Sequence, residues 1–190
     1  MNHKIIVQKT VGLLFKTHKY SIRNFCIMET QNKILPKTNA EMILRLNHGE
    51  VFEFCYFCGH TPRKTTGKGK DNSFDKACFS QWHDTSFTID GIFYKTAEHW
   101  MMASKARLFE DTETLNKILE APDPSSAKKL GRLVKNFNSD IWDENCTQIV
   151  FDGNVAKFSQ NPILLGIMEA TRDKVLVEAS ASDELSFPFP

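Results

Sequence analysis

The chain has 190 residues, a formal net charge of +1 and 41% apolar residues, values that suit one folded domain and exclude a fibre or a polar tail. A near-neutral balance also excludes a protein that coats nucleic acid by counterion release, since such domains carry a large basic excess. No window approaches the roughly 18 uninterrupted apolar residues of a membrane-spanning helix, and at this length folding buries roughly 70% of the unfolded surface without disulfide or metal staples.

Residues 1–28 hold Lys4, Lys9, Lys16, Lys19 and Arg23 among apolar residues, with no acid before Glu29. That is the composition of an organellar transit peptide. The alternatives are a dispensable amphipathic extension or a start at Met28. Residues 29–48 read as a polar linker, so 1–48 is expected to be an extension and 49–190 the globular domain. The expected location is the cytoplasm, or the mitochondrion if residues 1–28 act in import. Five cysteines, Cys26, Cys55, Cys58, Cys78 and Cys146, are an odd, scattered set and point to reduced thiols in an intracellular compartment.

Val51 to Phe57 is a β-branched and aromatic run that predicts a strand ending at Gly59. Thr61 to Asn72 is polar with two glycines and predicts a loop. Phe87 to Tyr94 carries Asp90-Gly91 between short apolar runs, the strongest hairpin signal in the chain. Thr96 then caps a predicted helix from Ala97 to Phe109, and Asp111 to Glu120 predicts another. Asp123-Pro124 starts a third, with Ala127, Leu130, Leu133, Val134 and Phe137 at helical spacing. Trp142 to Phe158 predicts a fourth, weakened by Gly153. Asn161-Pro162 starts a fifth, and Lys174 to Ala179 alternates as a short strand does. A mainly α fold with a few short strands follows.

On the helix after Thr96, Glu98, Met101, Met102 and Lys105 share one face. Seven residues at ~1.5 Å each separate Glu98 from Lys105 by about 10 Å along the axis, a span that one phosphorylated sugar bridges. A solvated acid and base is the plain alternative, but His99, Trp100, Met101 and Met102 make a bulky setting for a solvent face. Lys128, Arg132 and Lys135 form a basic face opposite the apolar stripe of the third helix, either solvated or a phosphate clamp. Lys157 precedes the Asn161-Pro162 helix start, a place for an anion. Cys55, Cys58, His60 and Cys78 lack a second paired motif and fall partly in a strand-like run, so no metal is expected, nor any cofactor.

Taken together, Phe57-Cys58-Gly59-His60-Thr61-Pro62, Cys78-Phe79-Ser80-Gln81-Trp82, Phe87-Thr88-Ile89-Asp90-Gly91 and the run from Thr96 to Ala106 resemble, in order, the NADAR (YbiA-like) family. Ala127 to Arg132, Trp142, Gly153 to Pro162 and Leu176 to Ser180 continue the likeness, which covers about 130 residues. The resemblance implies a compact YbiA-like helical domain that hydrolyses N-glycosidic bonds. Its implied partners are a phosphoribosylamino-pyrimidine intermediate of riboflavin synthesis or an ADP-ribosylated guanine, free or within nucleic acid. Carried over, Glu98 is the catalytic candidate and Asp183 the second acid. Lys105, Arg132, Lys157 and His60 are candidates for substrate binding, and Trp142 for stacking on the base. A non-catalytic binder of ADP-ribose or NAD is the competing reading. After Asp183 the family continues into Trp-Gly-Ile-Gly, whereas here Glu184 to Pro190 brings two prolines and no glycine, a departure that predicts slow turnover.

Overall fold

The computed structural model describes residue 36, residues 39–61 and residues 76–178. The expectations for residues 1–28, for the loop beyond Thr61, for Asp183 and for the altered tail lie outside them. No described helix is long and apolar enough to cross a membrane. Chain contacts divide the described residues into two units, one formed by 39–57 with 169–178, the other by 58–61 with 76–168. The expected division at residue 48 falls inside the first.

In the first unit α1 (Asn39–Asn47) occupies part of the segment that reads from sequence as linker. Met42 and Leu46, one turn apart, pack with Phe52 and Val175, and it is this burial that turns a polar segment into a helix. Arg45 closes the helix end on Glu50 through two 2.6 Å contacts. β1 (Phe54–Phe57) and β4 (Val175–Glu178) pair in parallel, Phe54 opposite Val175.

In the second unit a 3₁₀ turn (Lys76–Phe79) precedes the hairpin of β2 (Phe87–Ile89) and β3 (Ile92–Tyr94). The strands are antiparallel with Phe87 opposite Tyr94, and Asp90 and Gly91 take φ of 52° and 76°, as a two-residue hairpin turn demands. Five helices follow: α2 (Ala97–Leu108), α3 (Thr112–Glu120), α4 (Pro124–Gly131), α5 (Ser139–Ser159) and α6 (Pro162–Ala170). The mainly helical fold with a few short strands is therefore observed.

Helix α2 is the hub, with α3, α4 and α5 packed on it. None of its twelve residues is exposed, which is why its sequence shows bulky residues all round rather than one stripe. Small residues bring the neighbours close. A Cβ on Gly153 of α5 would stand 2.2 Å from Trp100 Cδ1, and one on Gly131 of α4 would stand 2.1 Å from Met102 Sδ. Gly153 thus admits the Trp100 indole, whose Nε1 donates to the Ile149 carbonyl at 2.7 Å.

One boundary differs from expectation. The apolar stripe from Ala127 predicts a helix through Phe137, yet α4 stops at Gly131. The Asp111 carboxylate accepts from the Lys135 backbone N–H at 2.9 Å, and Asn136 turns left-handed with φ 55°. Together they divert the chain, leaving Val134 buried and Phe137 exposed. Arg132 is the C-cap of α4, while Lys135 pairs with Glu113 at 2.8 Å. The expected three-residue basic face is thus broken.

Candidate active site

The first turn of α2 is built from polar groups with little freedom. Thr96, extended at φ −147° and ψ 166°, caps the helix, its hydroxyl accepting from the His99 N–H. His99 is 1% exposed, with Nδ1 2.8 Å from Thr96 Oγ1 and Nε2 3.2 Å from the Ala121 carbonyl. A carbonyl only accepts, so Nε2 carries the proton and Nδ1 takes the Thr96 hydroxyl hydrogen. Burial holds the imidazole below its ordinary range, and the nearby Lys95 charge adds to this against the Ala121 bond. Glu98 lies between these two residues at 2% exposure. Its backbone N–H donates to the Gln81 carbonyl at 3.0 Å, satisfying one of the donors that a helix start leaves open. A carboxylate there also meets the positive end of the helix dipole.

The segment that supplies that carbonyl is pinned from α5. Lys157 Nζ donates to the Ser80 carbonyl at 2.8 Å, and Gln81 Nε2 donates to Asn154 Oδ1 at 3.0 Å. Next along the chain, the half-buried Trp82 lies between the His60 ring, 5.5 Å away between centroids, and the Lys128 ammonium, 5.5 Å from its centroid. Lys157 differs from its expected place as an anion ligand ahead of a helix start. It sits in the last turn of α5, fully buried, and burial pushes its ammonium down to about 8, partly offset by Cys78. Its charge is directed at a backbone carbonyl, and it holds the wall of the site.

At the other end of α2, Lys105 Nζ lies 4.0 Å from the centroid of Phe137 and 5.6 Å from that of Trp142. Both are cation–π distances. Burial lowers the ammonium below its ordinary value, so a part of its hydration has been replaced by ring faces. Arg132 is exposed, one turn beyond Lys128. Among the described residues no group of three His, Cys, Asp or Glu side chains is placed to hold a metal ion.

The profile of the NADAR domain matches residues 68–185. This chain belongs to the NADAR family. It is 45% identical over 112 residues to an N-glycosidase of Acanthamoeba polyphaga mimivirus, covering 56% of this chain and 66% of that protein. An N-glycosidase of Nostoc punctiforme is 29% identical over 106 residues, covering 56% of this chain and 68% of that one. A riboflavin biosynthesis protein of Vibrio vulnificus is 28% identical over 104 residues, 55% of this chain but 28% of the other. The NADAR chain thus spans about two thirds of the two N-glycosidases and a smaller part of the Vibrio protein. The solution structure of Escherichia coli YbiA superposes with a TM-score of 0.54 at 24% identity, over 70% of this chain and 71% of that one. The fold is YbiA-like.

Of the residues that the sequence singles out in this NADAR domain, the fold brings Lys105 and Trp142 together and sets Glu98 at the sheltered start of the same helix. His60 reaches Trp82. Arg132 shares a face with Lys128 at helical spacing. Gln81, Trp82, Asn154 and Phe137 border these candidate residues, and the sequence does not single them out for a role. Gln81 and Trp82 stand in a motif that carries the resemblance, and that is the signal available for them. Asn154 stands in the Gly153 to Pro162 run that continues the resemblance, while Phe137 offers only its place in an apolar stripe.

Proposed function

We propose that this domain hydrolyses the N-glycosidic bond between a nitrogen base and a phosphorylated ribose or ADP-ribose. The carrying observation is Glu98, a carboxylate at 2% exposure in the capped first turn of a helix with no exposed residue. In this reaction the C1′–N bond breaks, its electron pair goes to the base nitrogen with a proton, and water adds to C1′ with loss of a proton. The sugar passes through an oxocarbenium-like state. In this reading Glu98 stabilises that positive charge or takes the proton of water, with Asp183 as the second acid. Sheltering from solvent makes a carboxylate worth more to a developing cation than it would be in water.

Lys105, Lys128 and Arg132 are the cations proposed for phosphate, Lys105 leaving its ring faces to meet an anion. Trp142, the base's proposed stacking surface, is then uncovered. His60 acts through the face of Trp82, and Lys157 by positioning Ser80 rather than by touching substrate. The names of the viral and cyanobacterial relatives support N-glycoside hydrolysis, and that of the Vibrio protein supports a riboflavin-pathway intermediate as one substrate. We place the reaction in the cytoplasm.

Incubation with an N-ribosylated aminopyrimidine 5′-phosphate, with ADP-ribosylated guanosine and with an ADP-ribosylated oligonucleotide tests the proposal. Release of free base from at least one of them is expected. A thermal shift without release from any would instead make the domain a binder of ADP-ribose or NAD.

A further inference from the structure

The side-chain amide of Gln81 is oriented by elimination. Asn154 Nδ2 donates to the Val150 carbonyl at 3.0 Å, and because a carbonyl only accepts, Asn154 turns Oδ1 the other way. That oxygen accepts from Gln81 Nε2 at 3.0 Å. Gln81 Oε1 is thereby directed away from Asn154. No described residue donates to it, and it is not among the atoms sealed from solvent. Asn154 itself is 5% exposed on α5, so the anchor is rigid. The main-chain oxygen of Gln81 meanwhile accepts from the Glu98 N–H at 3.0 Å. One residue therefore grips the catalytic turn by its backbone and presents a fixed, unsatisfied acceptor by its side chain.

We propose that Gln81 is the sugar-specificity residue of this site, its Oε1 accepting from the ribose 2′-hydroxyl. The inference rests on the reading above, in which Glu98 faces the anomeric carbon. The 2′-hydroxyl sits on the carbon bonded to that centre, so its place relative to Glu98 is fixed whichever base is attached. The neighbouring Trp82 ring is contacted by His60 and Lys128, and the Gln81 oxygen belongs to the residue whose carbonyl accepts from the Glu98 N–H. Hydrogen bonds to this hydroxyl strengthen as the oxocarbenium ion forms. A site built to bond a hydroxyl rejects the analogue that lacks it far more strongly than lost contact area would require.

The test uses the full chain and four probes: guanine or an aminopyrimidine N-linked to ribose 5-phosphate, and the two 2-deoxyribose counterparts. Deoxyribosyl bonds are intrinsically weaker, so the quantity read is the ribo-over-deoxy ratio of kcat/KM, compared between parent and Gln81→Leu. The ratio should fall at least about tenfold in the variant, chiefly through kcat on the ribosyl probes, with the deoxyribosyl probes changed little. Equal losses on both sugars would overturn the assignment, because a merely structural residue lowers both alike. Should Gln81→Leu not fold, product inhibition of the parent decides: ribose 5-phosphate is expected to inhibit at least about tenfold more tightly than 2-deoxyribose 5-phosphate, and equal inhibition overturns the proposal. No release from any probe or from ADP-ribosylated guanosine contradicts the N-glycosidase reading itself, and release that survives Glu98→Gln contradicts the role of Glu98 on which this inference rests. Glu98-dependent release with an unchanged ratio contradicts only the role of Gln81.

Discussion

At its N-terminal end α2 is held by hydrogen bonds whose partners have one role each, the carbonyls of Gln81, Ala121 and Ile149 accepting from Glu98, His99 and Trp100. At its C-terminal end Lys105 rests on the faces of Phe137 and Trp142, an attraction that changes little when the ammonium slides by about an ångström. Directional bonds to buried acceptors fix a group to a fraction of an ångström, as a reacting carboxylate requires. Ring faces hold a cation loosely enough for an anion to draw it away. One helix thus carries a fixed end suited to chemistry and an adjustable end suited to binding.

The largest effect is expected where the fixed end is locked to α5. Gly153→Ala would ordinarily stabilise a helix by about 1 kcal/mol. Here the new methyl stands 2.2 Å from Trp100 Cδ1 and 2.7 Å from its Nε1, so the indole must shift and lose its bond to Ile149. Overpacking costs about 1–3 kcal/mol and the indole N–H left without its acceptor about 1–3 kcal/mol. A net loss of about 2–3 kcal/mol in chemical denaturation is therefore expected from these opposing effects; a stabilised variant would show that this end is not locked.

At the adjustable end the expected effect is on binding. Lys105→Ala should weaken phosphorylated ligands by about tenfold, as loss of one charge-assisted contact does, while leaving free nucleosides within about twofold, read by calorimetry. Equal weakening of both would remove Lys105 from the phosphate site and leave it a support for the rings.

A smaller effect concerns the loop that presents Phe137. Backbone donation from Lys135, with the contacts of Thr114, holds the Asp111 carboxyl well below its ordinary 3.8, at about 2. Because the folded value is the lower one, Asp111 contributes its full stability above about pH 4, and that contribution is lost as pH falls from there towards 2. Glu113, also at about 2 through Lys117 and Lys135, adds to the same window but is exposed and screened by salt. Asp111→Asn at high salt should thus be less stable at about pH 7 and flatter between about pH 4 and 2. A variant whose stability falls with acid as steeply as the parent's would show that the carboxylate does not hold this loop.

Local signals in the sequence are the legible ones. Asp90-Gly91, Thr96, Asp111 and Asp123-Pro124 each mark an element boundary within a few residues of themselves, and each is found in its expected role. Helix α1 reads as linker because part of what buries its apolar face, Val175, is remote in sequence. The early end of α4 depends on Asp111, 24 residues before Lys135. In the candidate site, Glu98 and Lys105 are proposed from motif and spacing and Trp142 from the resemblance alone. The amide pair of Gln81 and Asn154 spans 73 residues and leaves no periodic trace. Lys157 misleads because a lysine beside a helix start reads the same whether its ammonium meets solvent or, as here, the Ser80 carbonyl.

In the proposed reaction the fixed end of α2 holds the Glu98 carboxylate against a developing sugar cation, and single-turnover release of free base by Glu98→Gln reads that role. The variant keeps the size of the side chain and removes its charge, so substrate affinity should stay within a few-fold of the parent while the rate of release falls at least about a hundredfold. A Glu98→Gln variant that binds equally well and releases base within a few-fold of the parent rate would remove Glu98 from the reaction.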